Sequence, residues 1–322
     1  MERRSVSYTH LSMETVELGE TSQGLKVYFD KYAAEADAIV PVGRIKIHTC
    51  FRGKIESGIM KMLAVGCGKQ KGAAAMHRCG FPAMSQNVTE TARLSIERLP
   101  VVFGFGIIEN SRHETRSVHA MAAEEIEREE MRLLEEARRE AVRIPFQKID
   151  VLIVDEMGKN ISGTGMDPNI TGRSSPLGTF SPSPERVAVL DLTEASDGSA
   201  YGVGNADVIT KRFFEKFIMD NTYPNGITNR DVKPMMLPPV MPSDRDAVRF
   251  ALATLMNDGG AGGVRIVWLH NTLQMEEFYV SEALAREAAC IAGIDIDWNE
   301  PFEMKFGRDG EIINGYRKIV QN

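Results

Sequence analysis

The sequence has 322 residues, of which 43% are hydrophobic and 26% charged, a composition typical of globular proteins and long enough for two domains. Its formal net charge of −7 disfavours a nucleic-acid partner, and the lack of an apolar run of about 18 residues disfavours a membrane partner. Four cysteines and no signal-peptide pattern indicate a reduced, cytoplasmic protein rather than a disulfide-bonded secreted one.

The first eleven residues, MERRSVSYTHL, show neither a strand period nor a helix period. We interpret residues 1–11 as a non-native leader, and the alternative is an ordinary disordered N-terminus. Under the first interpretation, the natural chain continues upstream and this sequence begins within a domain.

Residues 12–146 are predicted to form the first of two α/β lobes, together with a charged helix at its end. That helix, AEEIEREEMRLLEEARREAV, has four apolar residues near one face, and we interpret it as a solvated linker between the lobes. The predicted strands cover residues 13–19, 27–30 and 101–108, the predicted helices cover 54–64, 68–78, 89–99 and 123–142, and a helical turn followed by a buried strand covers 34–42.

Residues 147–322 are predicted to form the second α/β lobe. The apolar run KIDVLIVD (148–155) predicts a strand buried on both faces, and it leads into a glycine-rich loop at 158–173. Strands that alternate with helices predict a largely parallel sheet, whose ligands bind at the carboxyl ends of the strands. We therefore expect two α/β lobes with largely parallel sheets and a cleft between them. The other predicted elements are strands at 186–192 and 264–271, helices at 206–217 and 244–256, and a surface loop at 174–185.

The segment HTCFRGKIESGIMKMLAVGCGKQKGAAAMH (48–77) contains two of the six histidines, His48 and His77, on either side of Lys61. Apolar residues surround Lys61. A partly buried lysine has a lowered pKa and is a better nucleophile, whereas a lysine on the polar face of an amphipathic helix is an ordinary surface residue. Composition leaves both interpretations open.

The glycine-rich turn GCGKQKG (66–72) does not match a P-loop, because Gln70 follows Lys69 and no glycine lies five residues before Gly68. A glycine turn at the start of a helix can still bind phosphate through free N–H groups. Lys69 and Lys71 suit that role, and the alternative is that both are solvated surface lysines.

Two His-x-Cys pairs raise the possibility of a structural zinc site. They are His48 with Cys50 and His77 with Cys79. On a strand, such a pair points to one side and can supply two ligands to a tetrahedral zinc. The second pair falls in a predicted helix, where the two side chains diverge, so the zinc site is kept only as an alternative.

The spacing of His48, Ser57-Gly58-x-x-Lys61 and His77 resembles that of the nickel-pincer lactate racemase family. The longer runs FRGKIESGIMKM, GKQKGAA and VDEMGKNISGTGMDPNITGR resemble a large, mostly uncharacterised branch of the same superfamily. The resemblance extends from about residue 13 to the end of the chain, with the runs in the same order.

The resemblance implies a nickel-pincer nucleotide (pyridinium-3,5-bisthiocarboxylic acid mononucleotide with nickel), made by cofactor biosynthesis proteins. It implies that Lys61 attaches covalently to a thiocarboxyl arm of this cofactor, that His77 binds the nickel, and that His48 is a general acid–base. The pyridinium ring accepts a hydride from Cα of a 2-hydroxyacid and returns it to the opposite face. The other residues that we assign to cofactor binding are Ser57, Gly58, Lys69 and Lys71.

In the second lobe, the run DEMGK places Glu156 and Lys159 three residues apart at the end of a strand. The family has a polar residue and a lysine at this spacing, facing the cofactor. The resemblance therefore implies that Lys159 binds the substrate carboxylate or the cofactor, and that Glu156 orients it.

The sequence departs from the family pattern near His48. Where the family has a proline before the histidine and an aspartate two residues after it, this chain has Ile47 and Cys50, so we expect a less rigid and less acidic loop. The family also has a further N-terminal segment that supplies a substrate-binding arginine and a partner histidine. We expect the first lobe to be incomplete and the isolated chain to be inactive.

The function that we expect from the sequence is a nickel-pincer nucleotide-dependent racemase or epimerase of a small 2-hydroxyacid. The alternative is a non-catalytic α/β protein that binds a ligand or is stabilised by zinc.

Overall fold

The computed structural model describes residues 12–78, 80–256, 262–298 and 302–316. The chain divides into two compact units, and the division falls after Ala141. The leader assigned to residues 1–11 and the zinc ligand assigned to Cys79 both lie outside the described residues. Within the described ranges, no helix is both long enough and apolar enough to cross a membrane.

The first unit contains a β-hairpin, a three-stranded sheet and five helices among its described residues. In chain order these are β1 (Thr15–Glu20), β2 (Lys26–Asp30), α1 (Lys31–Ala34), β3 (Val42–Arg44), α2 (Ile59–Lys61), which continues as a π turn (Met62–Gly66), α3 (Lys69–His77), α4 (Met84–Arg98), β4 (Phe103–Glu109), β5 (Thr115–Ala122) and α5 (Ile126–Glu140). Strands β1 and β2 form the antiparallel hairpin, while β3 pairs with β4 in parallel and β4 pairs with β5 antiparallel.

The helix α5 is a packed element of the first unit rather than the solvated linker that its charge pattern predicts. Its residues Ile126, Leu133 and Leu134 are buried in the same apolar cluster as Ile59 and residues of α4. Arg128 and Arg132 of α5 form ion pairs with neighbouring glutamates on the opposite, exposed side. A wide apolar stripe on an otherwise charged helix is the pattern of a helix that packs on a core.

Two glycines let β3 and the start of α2 approach each other closely. A Cβ atom at Gly43 would lie 2.9 Å from the carbonyl carbon of Gly58, and a Cβ atom at Gly58 would lie 2.6 Å from the carboxylate of Glu130. A larger residue at Gly43 would require the backbone to shift, whereas one at Gly58 would displace the carboxylate of Glu130. Glycine at both positions therefore permits the close packing of α2 against β3 and α5.

The second unit is built on a six-stranded sheet in the order β11-β10-β9-β6-β12-β13. Its elements are β6 (Lys148–Val154), α6 (Pro168–Thr171), β7 (Arg173–Ser174), β8 (Gly178–Thr179), β9 (Ser183–Val189), β10 (Val208–Thr210), α7 (Lys211–Lys216), α8 (Met219–Asn229), β11 (Val240–Met241), α9 (Asp244–Ala253), β12 (Ile266–Leu269), β13 (Tyr279–Val280) and α10 (Glu282–Ala288). All the strand pairs of this sheet are parallel except β12 with β13. The α/β class predicted from the sequence is confirmed.

The central strand β6 is apolar from Val151 to Val154 because both of its faces are covered there. Leu152 and Val154 belong to one apolar cluster of this unit, whereas Val151 and Ile153 belong to another. Side chains alternate across a strand, so the part of a strand that is covered on both sides is apolar on both faces. This explains why the apolar run within KIDVLIVD predicts the strand correctly, although Lys148 at its start is exposed.

Two predictions for the second unit were wrong. The segment predicted as a helix at 206–217 begins as β10, whose three residues are all buried, and it becomes helical only at Lys211. The side chain of Thr210 accepts the N–H of Phe213 and so caps that helix. The predicted surface loop at 174–185 contains the short antiparallel pair β7–β8 and the first residues of β9.

Candidate functional site

His48 lies in the segment that connects β3 to α2. Its half-buried ring stacks on Phe51, with 4.2 Å between the ring centroids, and Nδ1 accepts the N–H of Cys50 at 3.0 Å. Because Nδ1 is the accepting nitrogen, a neutral ring carries its proton on Nε2. Burial, followed by the positive charges of Lys61 and Arg52, holds the pKa of His48 well below its ordinary value. The ring is therefore neutral near pH 7.

The fully buried carboxylate of Glu56 fixes the backbone around His48. It accepts the N–H of His48 at 2.7 Å and that of Gly53 at 3.1 Å, and Nη2 of Arg138 donates to it at 2.6 Å. The same guanidinium nitrogen donates to the carbonyl of Gly53 at 2.9 Å. A buried carboxylate needs partners of this kind, because its desolvation is otherwise uncompensated. The network thereby ties the His48 loop to α5.

Lys61 is the last residue of α2, and the π turn follows it directly. Such turns are rare and occur frequently at functional sites. Burial lowers the pKa of Lys61 to about 8, while the Cys50 thiol opposes this shift and the charge of Lys46 adds to it. At pH 7 an amine with this pKa is roughly one tenth neutral, against less than about one thousandth for an ordinary lysine. Of the two interpretations of Lys61, this favours the nucleophile.

Glu130 on α5 holds the backbone next to Lys61. Its Oε2 accepts the N–H of Met60 at 3.0 Å, and its carboxylate packs against Gly58. Burial raises the pKa of Glu130 to about 7, although hydrogen bonds from the backbone of Met60 and Ile59 act in the opposite direction. A carboxyl group with this pKa is partly protonated at neutral pH.

His77 is the last residue of α3, and its ring makes an edge-to-face contact with Phe81 at 5.7 Å between centroids. Its Nδ1 is buried and has no hydrogen-bond partner among the described residues. Burial lowers the pKa of His77, and the charge of Lys61 lowers it further. A buried, neutral imidazole nitrogen without a partner is a suitable ligand for a borderline transition metal such as nickel.

The structure brings His48, Lys61 and His77 together within the first unit. The charges of both Lys61 and His77 act on His48, and the charge of Lys61 acts on His77. His48 and His77 are therefore each less readily protonated than they would be without the charge of Lys61. The site therefore offers one amine and two imidazoles that are biased towards their neutral, electron-donating forms.

The remaining cofactor-binding candidates of the first unit differ in how far their polar atoms are already engaged. Lys69 forms an ion pair with Asp30 at 2.9 Å, and Lys71 lies over the ring of Tyr28 at 4.2 Å from its centroid. Ser57 is half-buried, and its carbonyl accepts the N–H of Lys46 at 3.1 Å. Phosphate binding by Lys69 would have to compete with Asp30, whereas Lys71 is exposed.

The described residues contain no group of three or more histidine, cysteine, aspartate or glutamate side chains placed to hold a metal ion. Of the residues in the zinc alternative, Cys50 is buried as a free thiol and contacts the hydroxyl of Thr49 at 3.4 Å. A nickel site in this unit would therefore rely on ligands from a cofactor besides His77. Lys61 and His77 fit such a cofactor, because one is an available nucleophile and the other has an unused ring nitrogen.

In the second unit, Glu156 lies at the carboxyl ends of two neighbouring parallel strands. It follows β6, and the residues after β12 face it: Nε2 of His270 lies 3.4 Å from Oε1 of Glu156, and Nδ2 of Asn271 donates to the same oxygen at 3.3 Å. On the other side of the ring, Nδ1 of His270 lies 3.6 Å from Oδ2 of the buried Asp155. Both ring nitrogens of His270 thus face carboxylates.

Lys159 is exposed, and the glycine-rich loop in which it lies holds its side chain. Its Nζ donates to the carbonyl of Gly163 at 2.7 Å and to Oδ1 of Asn225 at 3.4 Å, and it lies over the ring of Tyr201. Its backbone N–H donates to the hydroxyl of Ser196 at 2.9 Å. An anionic ligand at Lys159 would therefore replace contacts within the loop.

Sequence reasoning missed several polar residues that the structure places beside the candidates. His270 and Asn271 end the predicted strand at 264–271, so the argument that selected Glu156 at the end of its strand applies to them equally. Glu130 lies four residues from both Ile126 and Leu134, on the apolar face of a predicted helix, and that placement is a readable signal of burial. For Glu56 the sequence offers no comparable signal.

Comparison with known proteins gives one solved structure to report. No protein-family model and no curated protein matches the chain. The structure of the lactate racemase apoprotein from Thermoanaerobacterium thermosaccharolyticum is similar at 13% sequence identity and a TM-score of 0.42, over 80% of this chain and 67% of that one. At this level of similarity, the chemistry of the site has to be inferred from its own residues.

Proposed function

We propose that the chain binds a nickel-pincer nucleotide through its first unit and supplies part of the active site of a racemase or epimerase of a 2-hydroxyacid. The observation that supports this most directly is the pairing of Lys61, an amine with a pKa of about 8, with His77, whose buried Nδ1 has no partner among the described residues. The resemblance assigns covalent attachment and nickel binding to these same two residues.

When bound, the cofactor would supply a nickel-activated pyridinium that takes a hydride from Cα of the substrate and returns it. Lys61 would hold a thiocarboxyl arm, and His77 would hold the metal. Ser57, Gly58 and Lys71 keep the cofactor-binding role that the sequence analysis assigns to them, with Lys69 available only if Asp30 releases it.

His48 would act at the hydroxyl group of the substrate. In the tautomer favoured by the Cys50 N–H, Nε2 carries the proton and donates a hydrogen bond to the substrate oxygen. To accept the hydroxyl proton at Nε2, the neutral ring must instead carry its own proton on Nδ1. Cys50 N–H then needs a different acceptor, so proton transfer through His48 requires a small rearrangement of its loop.

Glu156 and Lys159 keep the roles towards the substrate that the resemblance implies. Lys159 would exchange the carbonyl of Gly163 for the substrate carboxylate, and Glu156 would orient the substrate. Because Lys159 is exposed, we expect Lys159→Ala to raise KM while it changes stability by less than about 0.5 kcal/mol.

The decisive experiment is intact-mass and elemental analysis after co-expression with the cofactor biosynthesis proteins. The wild-type chain should carry a covalent adduct with stoichiometric nickel, and Lys61→Ala should lose the adduct. Lys54→Ala is the matched control, since Lys54 is an exposed lysine of the preceding loop. An unmodified wild-type chain without nickel would contradict the proposal. Chiral chromatography of 2-hydroxyacids incubated with the loaded protein then tests the reaction.

A further inference from the structure

The helix α5 contacts both reactive parts of the first unit through buried side chains. Glu130 accepts the N–H of Met60, the residue before Lys61, at 3.0 Å. Two turns further along the same helix, Arg138 donates to Glu56, which in turn accepts the N–H of His48. One helix thus sets the backbone on each side of the site.

Burial keeps these contacts from being replaced by contacts with water. Glu56 is 0% exposed and Glu130 is 1% exposed, so neither carboxylate can exchange its partners for water. The Cβ position of Gly58 is occupied by the Glu130 carboxylate, at 2.6 Å, which leaves the turn before Lys61 no room to move towards α5. Glu56, whose two carboxylate oxygens both accept hydrogen bonds, restricts its segment to one arrangement, whereas Glu130 is bonded through Oε2 and its buried Oε1 has no partner among the described residues.

The charge of Glu130 does not explain its placement beside Lys61. The charges that act on the amine are those of Cys50 and Lys46, and burial is the main cause of its lowered pKa. The contact of Glu130 is instead with the backbone N–H of Met60. Any effect of Glu130 on Lys61 therefore acts through the backbone of Met60, which directly precedes the half-buried Lys61.

We infer that α5 is the positioning element of the site, with Glu130 holding the half-buried Lys61 in place through the backbone of Met60 and the Arg138–Glu56 pair holding the backbone of His48. The use of these two side chains rests on the proposed function, but their positioning is a property of the chain without cofactor. Glu130, Glu56 and Arg138 are positioning residues, since they act through the residues that would contact the ligands.

The first test measures the acylation rate of Lys61 by an N-hydroxysuccinimide ester of acetate as a function of pH, with peptide mass spectrometry of the apoprotein. Wild type should titrate with a midpoint near pH 8. In Glu130→Ala the midpoint should rise towards that of an exposed lysine, and a rise of one pH unit lowers the neutral fraction at pH 8 about fivefold. Glu130→Gln, which keeps an acceptor for Met60 N–H, should resemble wild type.

Two further variants keep this test decisive. Glu129→Ala removes a carboxylate of α5 that pairs with Arg128 and Arg132 on the surface, and it should leave the Lys61 profile unchanged. Gly58→Ala retains Glu130 but places a methyl group against its carboxylate, so it should shift the profile in the same direction as Glu130→Ala even if the latter folds poorly. A wild-type profile in folded Gly58→Ala and Glu130→Ala would overturn the inference for Lys61.

The second test follows His48 by long-range ¹H–¹⁵N spectra of the imidazole ring, which report the tautomer and the protonation state. Wild type should show the neutral form protonated on Nε2 between pH 6 and 8, since Nδ1 accepts from Cys50. Glu56→Gln and Arg138→Ala should give a mixture of tautomers, whereas Arg139→Ala, at an exposed neighbouring position, should not. Unchanged spectra in the first two variants would overturn the inference for His48.

The outcomes separate this inference from the proposed function. Shifted Lys61 and His48 titrations in the apoprotein, together with a wild-type chain that gains no adduct on co-expression, would support the positioning role and reject the cofactor. An adduct on wild type that forms equally in Gly58→Ala and Glu56→Gln, with unshifted apoprotein titrations, would support the cofactor and reject the positioning role.

Discussion

The backbone N–H of His48 donates to the carboxylate of Glu56 at 2.7 Å, and that carboxylate is fixed by Arg138, which lies 82 residues after Glu56 in the chain. The conformation of the His48 loop therefore depends on α5 as much as on its own sequence. This explains how the loop stays defined although Ile47, which precedes His48, does not restrict the backbone as a proline would.

We predict that Glu56→Ala destabilises the first unit by about 3 kcal/mol. The substitution leaves Arg138 and two backbone N–H groups without their acceptor, and removing one partner of a buried ion pair costs roughly 3–5 kcal/mol; the lower end applies because Arg138 is 28% exposed. Hydrogen exchange of peptides from residues 45–66 reports the loss. Glu135→Ala is the control: it removes another partner of the same arginine, but one that is 60% exposed, and should cost less than about 1 kcal/mol. Equal effects of the two variants would contradict the prediction.

We predict that the half-buried Lys61 makes stability increase with pH above about pH 8. The folded-state pKa is about 8 and the unfolded value is 10.5, so between these values the unfolded chain binds more protons than the folded chain. The free energy of unfolding therefore increases as the pH rises. Lys61→Met should remove this slope and stabilise the protein at pH 7 by about 1–3 kcal/mol. Urea unfolding at pH 7 and pH 10 measures both effects. Lys54→Met, at an exposed site, should retain the wild-type slope.

We predict a slope of the opposite sign from Glu130 at lower pH. Its folded-state pKa is about 7 against an ordinary 4.5, so between pH 4.5 and 7 the folded chain binds more protons than the unfolded chain. Stability from this group is present below pH 4.5 and is lost as pH rises towards 7. Glu130→Gln should remove the slope and be at least as stable as wild type at pH 8, by the same urea measurement. A Gln variant that keeps the wild-type slope between pH 5 and 7 would show that another group titrates there.

Local pattern was enough to predict the central strands and the α/β class, since β6 is apolar from Val151 to Val154. It failed where tertiary partners decide. The residues of β10 form a strand because they pair with β9 and β11, which lie elsewhere in the chain. In the same way, the resemblance selected Lys61 and His77, but Glu56 and Glu130 find their partners 70 to 82 residues away. Only the folded chain brings those groups together.

The last prediction concerns nickel. His77 Nδ1 is buried without a partner among the described residues, while His119 lies on β5 with Nε2 at 2.9 Å from the hydroxyl of Ser117. If His77 supplies the protein ligand, His77→Ala should lower the nickel retained after dialysis by at least tenfold, whereas His119→Ala should retain the wild-type amount. Intact mass distinguishes nickel binding by His77 from covalent attachment at Lys61, because the adduct at Lys61 should still form in His77→Ala. Loss of nickel from both histidine variants would point to instability of the unit rather than to a ligand, and full retention by His77→Ala would assign the metal to other atoms.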